Sequence, residues 1–245
     1  AATVVAAATA LPADARPVAS LSASPARVSL VGSTRTTVTL RNFGSSPLVV
    51  SASTAGLDVD VRGRPSVRAS RGGRRSAARW LDVRPLTVVV QPSDVSTVVV
   101  TSRLPRRAAP GDHQGAVLFT TRAPKRGAVG IRMRLAVRVA VRAPGRLVSA
   151  VSISGVRVRR VRNERILDVR IANRGNVTAA LERGHLVVAL LTPGRTTVRL
   201  VAPPREVLPG ADALIGLRYR GTLRGRVLAR VSVAGGRVRA FWVRL

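Results

Sequence analysis

His113 and His185 are the only side chains in this chain that titrate near neutrality without perturbation, so general acid–base chemistry would fall to one of them or to a carboxylate. His113 follows Asp112 in the run Pro110-Gly111-Asp112-His113-Gln114-Gly115, and the two types could serve as a base and its orienting partner. Adjacent side chains on an extended chain point apart, however, and no nucleophile-elbow motif marks an activated serine. The run reads as a turn into a strand. His185, after Gly184 at the head of an apolar stretch, reads as a partly buried structural residue. There is no cysteine, which removes thiol nucleophiles, disulfides and Cys-ligated zinc together. No His/Asp/Glu cluster has ligand spacing. The expectation is a protein that is not an enzyme, with no catalytic residue, no cofactor and no metal.

The arginines are the constellation that stands above background. Lysine and arginine number 42 against 11 aspartates and glutamates, a formal charge of +31, and Lys125 is the only lysine. A GC-rich genome accounts for arginine over lysine but not for the shortage of acids. The balance therefore points to attraction for a polyanion: wall teichoic acid, anionic lipid, acidic polysaccharide or nucleic acid. The segment 62–79 carries Arg62, Arg64, Arg68, Arg71, Arg74, Arg75 and Arg79 among small and turn residues with no acid, and is expected to be a mobile basic loop. Its guanidinium forks suit phosphates or carboxylates. Arg132, Arg134 and Arg138 alternate with Met133, Leu135 and Val137, and are expected to stripe an exposed strand face, as are Arg157 and Arg159.

These groups must be carried by strands. Aromatics are few (three Phe, two Trp, one Tyr), so valine, leucine, isoleucine and alanine must build the core, and β-branched runs favour sheets. One pattern occurs twice. Val38-Thr39-Leu40-Arg41-Asn42-Phe43-Gly44 and Asp168-Val169-Arg170-Ile171-Ala172-Asn173-Arg174-Gly175 each end an alternating run in Asn-x-Gly, residues that tolerate positive φ and turn the chain out of a strand. Later matches follow: Val90-Gln91-Pro92-Ser93 with Val207-Leu208-Pro209-Gly210, and the final alternating runs from Gly130 and Gly236. The fold class is all-β, two tandem immunoglobulin-like β-sandwich domains, with Ala143-Pro144-Gly145 between 16–143 and 144–245. A short helical stretch is allowed from Thr178 to Gly184. Asn42 and Asn173 are read as turn caps, Trp80 as core with sugar stacking as the alternative, and Trp242 as structural.

Residues 1–15 read as the apolar part of a secretory signal with an Ala13-Asp14-Ala15 cleavage site, or else as a flexible Ala-rich leader. No stretch reaches the roughly 20 apolar residues of a membrane span. Ser24-Pro25-Ala26-Arg27-Val28 leading to Asn42-x-Gly44, Trp80-Leu81-Asp82-Val83 with Pro92, Pro110 to Gly115, and Asn173 to Asn176 with Leu208-Pro209-Gly210 resemble the WxL-interacting surface proteins of Gram-positive bacteria. That resemblance implies an exported cell-envelope protein. Its first sandwich would bind cell-wall polymer as peptidoglycan and its second another surface protein or a host surface; the positive charge adds an anionic polysaccharide and a membrane surface to the expected partners. The competing expectation is nonspecific binding of nucleic acid or another polyanion, against which the dearth of stacking aromatics and the export signal both count.

Overall fold

The computed structural model describes residues 19–68, 73, 75–122, 132–162, 164–192, 195–233 and 237–245. The leader expected at 1–15 lies outside them. Every regular element among the described residues is a strand.

The first ten strands are β1 (Leu21–Ser24), β2 (Arg27–Val31), β3 (Arg35–Asn42), β4 (Leu48–Val59), β5 (Pro65–Arg68), β6 (Leu81–Arg84), β7 (Thr87–Val90), β8 (Val95–Ser102), β9 (Gly111–Thr121) and β10 (Arg134–Ala143). They make one sheet in the order β1-β3-β8-β6 and a second in the order β2-β10-β9-β4-β5, with β7 also on β4. The chain changes sheets at Pro25, where the missing N–H interrupts a ladder. Alternation decides which face is buried: Val38 and Leu40 on β3, Val98 and Val100 on β8, and Val137, Val139 and Val141 on β10 all point inward onto Phe119 and Val50. Each such aliphatic side chain is worth about 1.5–3 kcal/mol when fully buried.

The remaining strands are β11 (Val151–Val161), β12 (Glu164–Asn173), β13 (Ala179–Leu181), β14 (Leu186–Thr192), β15 (Arg195–Val201), β16 (Arg205–Val207), β17 (Asp212–Tyr219), β18 (Arg226–Val233) and β19 (Arg237–Arg244). The sheets run β11-β12-β17 and β15-β14-β18-β19, with β13 and β16 paired beside them. Their core holds Leu167, Val169, Ile171, Val188, Leu190, Ala229 and Val231, and no residue of the first core belongs to it.

Three expectations change. The stretch allowed as a helix at 178–184 contains strand β13, whose Ala179, Ala180 and Leu181 pair with Val207, Glu206 and Arg205 of β16; the ladder satisfies the backbone that a helix would have satisfied internally. The basic segment 62–79 is built into the fold at both ends: β5 pairs with β4, Ala77 donates its N–H to the Gln114 carbonyl at 2.8 Å, and Ala77 and Ala78 are buried. Trp242 lies on the outer face of β19, because Val243 on one side of it and partly buried Phe241 on the other take the core-facing positions.

The duplicated Asn-x-Gly motif has one geometry in both sandwiches. The buried Asn42 donates from Nδ2 to the Ser46 carbonyl (2.8 Å) and the Val90 carbonyl (3.1 Å), and its Oδ1 accepts from Gly44 N–H (2.9 Å). Asn173 repeats this with the Val177 carbonyl (2.8 Å), the Val207 carbonyl (2.9 Å) and Gly175 N–H (3.0 Å). The motif therefore ties the end of one strand to the matched Val90 and Val207 segments. Positive φ occurs instead at Ser93 (62°) and Gly210 (72°), in the matched Pro-containing turns. Gly175 is a glycine for another reason: a Cβ there would lie 2.2 Å from the Val148 carbonyl oxygen.

Candidate binding cleft

The junction of the two sandwiches starts from Gly111 at the head of β9. Its φ is +105°, and a Cβ would sit 2.1 Å from the Asn176 carbonyl oxygen, so only glycine lets the two backbones touch there. Asp112 N–H then donates to that carbonyl at 2.8 Å. The Asp112 carboxylate takes two bonds from Arg142 (2.6 and 3.0 Å) and one from Thr178 N–H (2.7 Å). Asn176 also clasps the connecting segment, accepting from Val148 N–H at 2.6 Å and donating to the Arg146 carbonyl at 2.8 Å. Burial opposes ionisation of Asp112, and the bonds from Arg142 and Thr178 more than offset it, holding the carboxyl below its ordinary value and raising Arg142.

The same strands form a cleft of about 740 Å³ between the sandwiches. Leu57, Val59, Ala116, Ala136 and Leu181 line its apolar wall. Arg27 and Arg138 face each other in register across the parallel β2/β10 pair, and both grip the carboxylate of Glu206 on β16, Arg138 at 2.8 Å. Arg138 is further fixed by Nε donating to Gln114 Oε1 at 3.0 Å. Arg205 brings a third guanidinium, lying where a side chain on Gly63 would clash, and its buried Nε has no hydrogen-bond partner. Arg27, Arg138 and Arg205 thus line the cleft together with Glu182 and Glu206. The parallel partner β2 covers β10 only from Arg138 to Arg142, leaving Arg134 to Val137 as an open edge beside this grip.

Both histidines are held by neighbouring backbone groups. His113 is buried, its Nε2 bonds to the Ala109 carbonyl at 2.8 Å, and its ring lies 4.2 Å from Trp80, which packs on the first core as expected. Asp112 points the other way along the strand, toward Arg142. Burial, followed by the nearby Arg75 charge, lowers the imidazole below its ordinary range. His185, half-buried, accepts from Glu182 N–H at 3.2 Å.

Among the described residues, the arginines singled out from sequence differ in exposure and in pairing. Arg62 and Arg64 sit exposed in the turn after β4, Arg68 pairs with Asp58, Arg75 is half-buried and Arg79 is exposed; Arg71 and Arg74 lie outside the described residues. Arg132 and Arg134 are exposed, whereas Arg138 turns into the cleft, because the second sandwich covers that end of β10. Arg159 is paired with Asp168 at 2.6 Å, and Arg157 is exposed. Sequence reasoning weighed Asp112 only as an orienting partner for His113 and gave Arg142, Asn176, Thr178 and Glu206 no functional role. Their one signal was the run Pro110 to Gly115, where a glycine precedes an acid at a strand start.

No protein-family model and no curated protein matches the chain. Solved structures do. A chaperone–tip adhesin complex of CFA/I fimbriae biogenesis aligns at 13% identity over 91% of this chain and 98% of that one, with a TM-score of 0.53. The class 5 fimbriae chaperone CfaA aligns at 13% over 90% and 98%, also at 0.53. The likeness is one of fold. It places the chain among two tandem immunoglobulin-like β-sandwiches and overturns the resemblance to WxL-interacting proteins, since the similar structures are fimbrial chaperones. Cell-wall polymer binding and a place on the Gram-positive envelope fall with that resemblance, and the membrane-surface and nucleic-acid or polyanion readings, drawn from charge alone, are overturned by the same likeness. The turn residues that carried it belong to the sandwich plan itself, so they could not separate one sandwich family from another.

Proposed function

We propose that the chain is a noncatalytic, exported assembly chaperone that holds an incomplete β-sandwich subunit by lending it the open edge of β10. Strand addition gives such a partner main-chain hydrogen bonds, and the alternating side chains give it register. One observation carries the reading: Arg27 and Arg138, on adjacent strands at the end of that edge, already share one carboxylate. A carboxylate of the incoming strand that replaces Glu206 would be anchored by two charge-assisted interactions while its apolar residues meet Ala136 and the cleft wall. The low-identity likeness to fimbrial chaperones supports the same reading.

The test is co-expression in a periplasm with an immunoglobulin-like fibre subunit that lacks its last strand. The subunit is expected to become soluble and to co-purify. Arg27→Ala or Arg138→Ala should weaken the complex about 10- to 100-fold, as loss of a charged hydrogen bond of about 1.5–3 kcal/mol requires. Equal yields with wild type, with the double variant and with no chaperone would sink the proposal.

A further inference from the structure

The outer face of the sheet β15-β14-β18-β19 is apolar where an antiparallel sandwich normally meets water with polar residues. Leu191, Leu228 and Trp242 stand opposite one another in register across three strands, the two leucines half-buried, and a second row runs through Val201, the buried Val187, the half-buried Ser232 and Val238. Trp242 is 60% exposed, Val238 53% and Val201 46%. Between these rows lie Ala189, Arg230 and Ala240, with Arg199 beside Ala189, while Arg226 and Arg244 edge the end of the sheet. The Arg226 guanidinium sits over the Trp242 ring, 4.7 Å from its centroid. None of the four strands contains an aspartate or glutamate.

We infer that this face is a docking surface for a second protein, distinct from the cleft, whose own surface presents an apolar patch interspersed with carboxylates. An exposed tryptophan flanked by arginines that form no ion pair among the described residues is the composition of an interface centre. Charge selects the occupant. A second copy would set the same arginines against each other on molecules of formal charge +31. A lipid surface would bring Arg230, which lies between the two apolar rows, into hydrocarbon along with Trp242 and Val238. A protein can meet both demands, burying the rows and setting a carboxylate against Arg230.

The full chain carrying the photoreactive residue benzoylphenylalanine in place of Trp242, made in the cells that produce the protein, tests this. A matched chain with the probe at Val95, exposed on the first sandwich, is the control. The expected product is an adduct to another protein, mapped to a segment in which carboxylates flank an apolar residue. Its yield should fall at least tenfold with Arg230→Glu and persist with Arg230→Lys, and both variants should keep the parent melting temperature. An adduct to a second copy or to lipid, a yield unmoved by Arg230→Glu, or a yield no higher than at position 95 would overturn the inference.

Discussion

The twin asparagines allow a prediction with a built-in control. Replacing Asn42 with alanine leaves the Ser46 and Val90 carbonyls without their donor and Gly44 N–H without its acceptor; Asn173→Ala does the same to Val177, Val207 and Gly175. Both asparagines are fully buried, so water does not replace the lost bonds. At about 1–1.5 kcal/mol for each of three bonds, either change should cost about 3–4.5 kcal/mol. With a denaturant slope of about 1.5 kcal/mol per molar urea for one sandwich, the midpoint should fall by about 2–3 M. Pulsed hydrogen exchange read by mass spectrometry across a urea series assigns a midpoint to peptides from each half. Asn42→Ala should move the first half and Asn173→Ala the second by similar amounts. Asn→Asp should cost at least as much, because it keeps the acceptor but turns a carboxylate toward two carbonyls. A loss below about 1 kcal/mol at either site, the size of an ordinary exposed cap, would refute the claim that the motif ties strand ends together rather than merely turning the chain.

Two other outcomes follow from the junction. His113 sits below its ordinary 6.5, so its contribution is complete above that pH and is lost as pH falls toward the lower folded value; Asp112, below 3.8, adds a second loss at more acid pH. Urea stability of the first sandwich should therefore decline from about pH 6.5 downward, and His113→Leu should flatten that limb while leaving the decline below about pH 3.8; an unchanged upper limb would count against the buried neutral imidazole. Gly111→Ala should cost roughly 1–3 kcal/mol from its φ of +105° and push the sandwiches apart at Asn176, measurable as a larger radius of gyration in small-angle scattering. Unaltered scattering and stability would contradict the close approach.

The site was less legible than the fold, for a physical reason visible in particular residues. Alternation in Met133 to Val141 identified β10 and its inward valines, but not what covers its other face, so Arg138 read as a solvent-facing charge. Which residue opposes it depends on the parallel β2/β10 register and on β16, 68 positions further on. Trp242 was misplaced by the opposite error: an aromatic in an apolar run reads as structural, although Phe241 and Val243 on either side of it take the core-facing positions.

Local chemistry therefore determined what each segment could be. β-Branched alternation made strands, proline and glycine ended them, and the repeated Asn-x-Gly announced two sandwiches on one plan, because periodicity and turn preference act over a few residues. Only the tertiary structure decided what the pieces do together. The carboxylate shared by Arg27 and Arg138, the Asp112 lock between the sandwiches and the uncovered Trp242 face each join residues from separate strands, in some cases from both halves of the chain. Contacts of that kind follow from sheet order and packing, and no short window of sequence contains them.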